Sequence, residues 1–493
     1  MKIKYHLLIV VGLVALTSAR IVDRISEQQQ DYSVFSKVLL NKEGTLDMHL
    51  SSDSVNYYLE ILRRDLQTEK SSLEQFKLYS EMVARLNCGH TQVLNNRKVQ
   101  TEWLLGRQSL PIDVYLIGRR LVVGEIVDED YDNIERDILS KNTFLDAGTE
   151  ILMIDSLTVP EMMEGMGRYL SSDEGSMDFK YFQASQMFEF YRHLAFPLDK
   201  DSVMVQYVTP AKDTNTVFMH PGTAPVYSIN ARLNKASSEY NKSEADMGKF
   251  KIVNGQYGYF KFPSFSASAG SDYENFLKRS FQKLKAQNID KLIVDLRGNT
   301  GGVMQYDFIK YFVGEGVNIG RYIIAKPHSK STNKYVRKGN LSYVRYAVLS
   351  WQQKKKLREG SFNEGIILTD EVDEKLIYSG DISVITDEGT FSSAAILACQ
   401  LKTLAGAKIV GRPAGGSFYA GNAGTLRVRL PESGLQISVN PNTYYSHLEV
   451  AEDPTAIKQP DLYLDPFILD KKDRDQFYFK HAVDILKSVV VEE

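Results

Sequence analysis

Two cysteines in 493 residues, Cys88 and Cys399, are too few for a disulfide framework, so every core in this chain must stand on packing. An excess of charge of either sign is missing too: 59 Lys and Arg face 62 Asp and Glu, a formal net charge of -3. That removes any whole-chain electrostatic reason to expect nucleic acid, and it points to no bulk acidic or basic partner. Internal repeats and low-complexity linkers are absent, so domain boundaries must be taken from changes of pattern. The N-terminal apolar run, Leu7 to Leu16, is shorter than the ~20 residues of a membrane span. With Lys2 and Lys4 before it and Thr17-Ser18-Ala19 after it, the run reads as a secretory signal peptide over 1–19. No cysteine follows it to take a lipid anchor. The expectation is an exported protein, periplasmic or secreted, without stable membrane insertion once the signal is cleaved.

What is present is enough chain for two or three cores. Residues 20–100 carry apolar side chains at helical spacing, as in Val55, Tyr58, Leu59, Leu62 and Leu73, Phe76, Leu78, Met82, Leu86, which predicts a small helical cap. Residues 101–225 change to short strands, with "LPIDVYLIGRRLVVGEIV", then "AGTEILMIDSLTVPEM" leading through Val159-Pro160 into one helix, then "SVMVQYVTP". These predict a compact, partly open β-barrel, joined by a linker at 226–248. From 249 to 493 strands alternate with helices: "YGYFKF", an amphipathic stretch from Asp272 to Lys285, the fully apolar "KLIVDLR", and then "DISVIT", a helix from about Ser392 to Leu404, and "AKIVG". That rhythm predicts an α/β architecture on a mostly parallel sheet with flanking helices.

Ligands of such sheets collect at the carboxyl ends of strands, and two loops leave there with unusual residues. "DLRGNTGG" places Gly298, Gly301 and Gly302 around Asn299, a set that permits positive φ and a cradle of amide donors, or simply a tight turn. No Gly-Lys-Ser/Thr follows, which disfavours a phosphate loop. "DEGTFSSAAILACQ" puts Ser392 at the mouth of a helix, where it is either a helix cap or a nucleophile favoured by free amides and the helix dipole. A nucleophilic serine needs a base. Of the eight histidines, His90 in "LNCGHTQVL" stands apart, directly after a glycine and between a helical pattern and a short apolar run.

These motifs also carry a resemblance. "VDLRGNTGG", "TDEGTFSSAAILACQLK", "AKIVGRPAGG", "LRVRLPESGLQISVNP" and "QPDLYLD" occur in the order found in the tail-specific, or C-terminal processing, family of serine peptidases, across about Phe250 to Asp465. "CGHT" resembles that family's Asp-Gly-His-Thr element, and "AGTEILMIDSLTVPEM" is similar to the signature of its PDZ-like module. The resemblance implies a ClpP/crotonase-like α/β core, a small β-rich PDZ-like domain at 101–225, and a helical domain that carries the base. It implies Ser392 as nucleophile, Ser393 as one oxyanion amide, and Gly301 or Gly302 as the other. One branch of the family pairs the serine with a lysine, but the matching position here is about Ser417, and no lysine lies between Lys408 and Lys458. The other branch resembles the tricorn core, which implies His90 as base, with Gly89 where that pattern has serine, and a glutamate before Pro460-Asp461, either Glu449 or Glu452. A further family glutamate is replaced by Ala395.

The reading implied is an exported serine endopeptidase acting on polypeptide substrates, with no metal or organic cofactor and with homo-oligomerisation left open. Its rival is a catalytically inactive peptide- or small-lipophile-binding protein on the same fold. A glycan hydrolase would need a paired-carboxylate site, for which only the adjacent Asp387 and Glu388 offer themselves. Cys399 lies two helical turns beyond Ser392, so a bond to Cys88 and two separate buried thiols are both open, the second favoured.

Overall fold

The computed structural model describes residues 2–123, 145–221, 248–265, 270–336 and 365–488, except positions 107, 111, 113, 147, 303–304, 325–329, 369–371, 449–453 and 467–470, together with 344, 347–348, 351–352 and 355. Most of the linker read at 226–248 therefore lies outside the described residues, as do Glu449 and Glu452.

The N-terminal part is helical: α1 (Lys2–Lys42), α2 (Ser52–Asp65), α3 (Ser72–Ala84) and α4 (Arg97–Gly106). Local chemistry starts two of these. Ser51 Oγ accepts the amide of Ser54 at 3.1 Å, and Ser71 and Glu74 form a reciprocal capping box. The periodic positions Val55, Leu59, Leu62, Phe76, Met82 and Leu86 are all buried. Helix α1 continues unbroken through residues 17–19. Among the described residues no helix is long and apolar enough to cross a membrane.

This helical core does not close on itself. It is completed by Leu426, Val428, Ile437 and Val439, more than three hundred residues downstream. Strand β1 (Gln92–Leu94), which begins two residues after His90, pairs antiparallel with residues 436–438 of that later segment, Gln92 opposite Ser438 and Leu94 opposite Gln436. The carboxylate of Asp31 on α1 also accepts the amides of Glu432 and Ser433, at 2.9 and 2.8 Å. Helical cap and C-terminal part are thus one packed unit.

The middle part is a six-stranded antiparallel sheet in which β2 (Val114–Ile117), β3 (Arg120–Val123), β4 (Glu150–Ile154), β5 (Val203–Val208) and β6 (Thr214–Met219) lie side by side in that order and the two-residue strand Leu157–Thr158 pairs with β4. Helix α5 (Val159–Gly167) opens with a Thr158–Glu161 capping box and a proline in its first turn. Where the sequence pattern predicts one helix, the structure has three, adding α6 (Met177–Gln186) and α7 (Phe188–Ala195). These segments are rich in Phe and Tyr, which favour strands when read locally. Burial of Phe179, Tyr181, Phe188 and Phe190 decides for helix instead.

The remainder is mixed α/β. A six-stranded sheet runs in the order Leu462–Tyr463, Lys408–Gly411, Asp381–Thr386, Lys291–Asp295, Tyr257–Lys261, Lys249–Val253; every pair is parallel except the last. In the strand Lys291–Asp295, Leu292 and Val294 face a core shared with Leu277, Phe281, Phe308 and Leu397, while Ile293 faces Tyr478, Ala482 and Leu486 of the last helix. The alternation explains a strand with no polar interior residue: both faces are covered. The strands Lys291–Asp295 and Asp381–Thr386 are neighbours, with Asp295 opposite Ile385, so the loops that follow them emerge side by side.

Candidate active site

Those two adjoining loops are stitched together. The amide of Phe391 donates to the Asn299 carbonyl at 2.9 Å, Thr390 Oγ1 donates to the Leu296 carbonyl at 2.9 Å, and the Gly298 amide donates to Asp387 Oδ1 at 2.8 Å. Between them Ser392 is held at φ 54°, ψ -127°, a conformation costly for any residue with a Cβ, immediately before the helix Ser393–Ala405. Its side chain makes no capping bond to that helix. A serine kept in a strained turn and not used as a cap leaves its hydroxyl free for another partner.

That partner is His90. Its Nε2 lies 2.9 Å from Ser392 Oγ, across 302 residues of sequence. The imidazole is packed near the ring of Phe391, 4.7 Å between centroids, and Phe391 in turn stacks on Phe179 at 4.0 Å. A Cβ at position 89 would fall 2.7 Å from the Phe391 ring, so the serine of the tricorn-like pattern has no room here and Gly89 is required. The loop is anchored from behind: the fully buried carboxylate of Glu43 accepts from Thr91 Oγ1 at 2.6 Å and from the Asn440 amide at 3.1 Å.

On the other side of the imidazole stands a residue that sequence reasoning missed. Asp173 is buried, with Oδ1 3.9 Å from His90 Nδ1. It accepts the Gly89 amide at 2.8 Å and the Ser417 amide at 3.3 Å. Burial works against its charge, but the imidazole of His90 and these two amides outweigh burial and hold the carboxyl below its usual range. Asp173 sits in "SSDEGS", a turn without periodicity inside the β-rich segment, so only a three-dimensional view joins it to His90. The neighbouring Glu174, at φ 55°, accepts a 2.6 Å bond from Ser417 Oγ. The position where a Ser-Lys enzyme would have its lysine is thus spent on fixing the acidic turn.

The glycine loop lies against the serine. At Gly301, φ 98°, an added Cβ would come within 2.7 Å of Ser392 Cβ and 2.9 Å of the Ser393 nitrogen. The Gly301 amide is itself bonded to Asn299 Oδ1 at 2.9 Å, whereas Gly302 is exposed. Of the two glycines read as donors, Gly302 is the one suited to meet a ligand. Gly301→Ala is expected to lower kcat about 10²-fold or more, because the methyl displaces the Ser393 amide; steady-state kinetics on a peptide substrate checks this.

Asp387 and Glu388 do not flank a cleft. Asp387 organises its own loop through Gly298, Gly389 and Thr390, and Glu388 lies 2.7 Å from Arg412 Nε. Burial first, and then the Asp387 charge, push the Glu388 carboxyl up to about 7. Both cysteines are free and buried, and burial pushes the Cys88 thiol well above its ordinary range. Ala395, in place of a family glutamate, is fully buried in the core.

A serine and a histidine in contact at the carboxyl edge of a mostly parallel α/β sheet form an arrangement able to carry out acyl-transfer chemistry. Residues 256–453 match the family described as peptidase family S41, in line with the resemblance that the ordered motifs carry. A curated relative, the carboxy-terminal processing protease CtpB of Bacillus subtilis (strain 168), is 24% identical over 255 residues. That match takes in 48% of this chain and 42% of the relative, so the chain matches less than half of the relative's length. Among solved structures, mature CPAF complexed with lactacystin is similar with a TM-score of 0.59 at 15% identity, over 95% of this chain and 98% of that one. Mature CPAF alone gives 0.56 at 14%, over 95% and 97%. At such identities the likeness is one of fold, and it extends over nearly the whole chain.

Proposed function

We propose that this chain is an exported serine endopeptidase that cuts polypeptides, with Ser392 as nucleophile, His90 as general base and Asp173 as the acid that orients and stabilises the base. The observation that carries the proposal is the 2.9 Å contact between His90 Nε2 and Ser392 Oγ, made by a serine that caps nothing. Ser392 Oγ attacks the scissile carbonyl and its proton passes to His90 Nε2; the imidazolium then gives that proton to the leaving amine. The oxyanion is taken by the amides of Ser393 and Gly302, the first aided by the positive end of its helix. Water attacks the acyl-enzyme by the same route in reverse.

The antiparallel sheet with α5 supports the reading of residues 101–225 as a PDZ-like module. Among the described residues its first strand, β2, is an edge, where an extended peptide can add by main-chain bonds. The name of CtpB, a carboxy-terminal processing protease, suggests polypeptide tails as the substrate class here as well. Incubation with unfolded casein tests the whole reading: new peptide termini are expected. Intact casein together with saturable binding of a lipophile would favour the binding-protein alternative.

A further inference from the structure

Cys88, His90 and Asp173 converge on the side of the imidazole turned away from Ser392, with one ligand atom from each lying within 4.8 Å of the others. Three features make this more than an accident of packing. First, His90 Nδ1 is closed off from solvent and has no hydrogen-bond partner. Its 3.9 Å separation from Asp173 Oδ1 is too long for a hydrogen bond. The separation is close to the roughly 3.4 Å that bonds of about 2.0–2.2 Å set between two ligands of a tetrahedral zinc ion. Second, the Cys88 sulfur accepts from Asn422 Nδ2 at 2.9 Å, a hydrogen bond that a ligating sulfur can keep. Third, the Asp173 carboxylate is already aimed by the amides of Gly89 and Ser417, each of which uses one direction on one oxygen.

We propose that these three residues form an inhibitory site for a zinc-class divalent cation. Sulfur and imidazole donors select such an ion over magnesium or calcium, with water completing the tetrahedron. On binding, bonds form from the metal to Cys88 Sγ, His90 Nδ1 and one Asp173 oxygen, and the thiol proton leaves to solvent. The metal takes the Nδ1 lone pair, so the ring proton of the neutral imidazole resides on Nε2. Nε2 then donates to Ser392 Oγ and cannot accept its proton. Inhibition in this form rests on His90 being the base, whereas the metal site does not.

Cobalt(II) as a probe separates the two. Titrated into the metal-free full-length protein, it is expected to give tetrahedral visible bands and a thiolate-to-cobalt charge-transfer band in the near ultraviolet at one equivalent, displaced by zinc and absent in Cys88→Ser. Preincubation with equimolar zinc is expected to slow fluorophosphonate labelling of Ser392 by about 10-fold or more in the wild type and to have no effect in Cys88→Ser. No charge-transfer band in the wild type overturns the site without touching the peptidase reading, and needs no variant to be interpretable. A band with zinc-insensitive labelling overturns the inhibition. A band in a protein that neither labels nor hydrolyses without zinc refutes the peptidase reading and leaves the site standing.

Discussion

Ser392→Ala is expected to lower kcat/KM on an unfolded polypeptide by about 10⁴ to 10⁶-fold while the unfolding midpoint stays near that of the wild type. The loss is large because the hydroxyl is the atom that forms the acyl bond. The folding cost is small because the hydroxyl caps no helix and its one partner in the site is His90 Nε2. His90→Ala should fall by a similar factor, and the double variant should be hardly worse than either single one, since residues that act as a unit are not additive. A serine that was only structural would show the opposite pattern, with activity kept and stability changed.

Asp173→Asn is expected to lower kcat by about 10² to 10⁴-fold with a smaller change in KM. Asparagine keeps the volume and can still accept the Gly89 amide, but it brings no charge to balance the imidazolium formed during attack. It must also turn an NH₂ either toward the Ser417 amide or toward His90. The folded-state carboxyl is held below its usual range by His90 and the two amides despite burial. Its contribution to stability is therefore present above the ordinary carboxylate pKa and is lost as pH falls through the lower folded value. The stability gap between wild type and Asp173→Asn, measured by denaturant titration, should accordingly be wide at neutral pH and close on acidification. If Asp173→Asn stayed fully active while Glu452→Gln or Glu449→Gln did not, the orienting role would move to the glutamate.

What could be read in advance followed how local the signal was. Ser392, Ser393 and the glycine loop are legible because a buried parallel strand, a loop and a helix are all written within about a dozen consecutive residues, and the strand type itself announces where the loops emerge. His90 is legible from the "CGHT" resemblance and as the histidine that stands apart among eight, but its placement is not, because what fixes it lies elsewhere: the pairing of Gln92–Leu94 with residues 436–438 and the buried Glu43 beneath the loop. Asp173 is not legible at all. Its function depends on the meeting of three loops, carrying residues 89–90, 173–174 and 417, and no periodicity reports such a meeting. The two extra helices at 177–195 were hidden for a related reason, since aromatic residues take their conformation there from the core they enter.

The most direct measurement is the rate at which a fluorophosphonate labels the protein, with the modified peptide identified by mass spectrometry. The expected result is a single adduct on Ser392 whose rate of formation falls by at least about 10²-fold in His90→Ala. An adduct on another residue, or labelling of Ser392 at an unchanged rate without His90, would contradict the pairing of nucleophile and base.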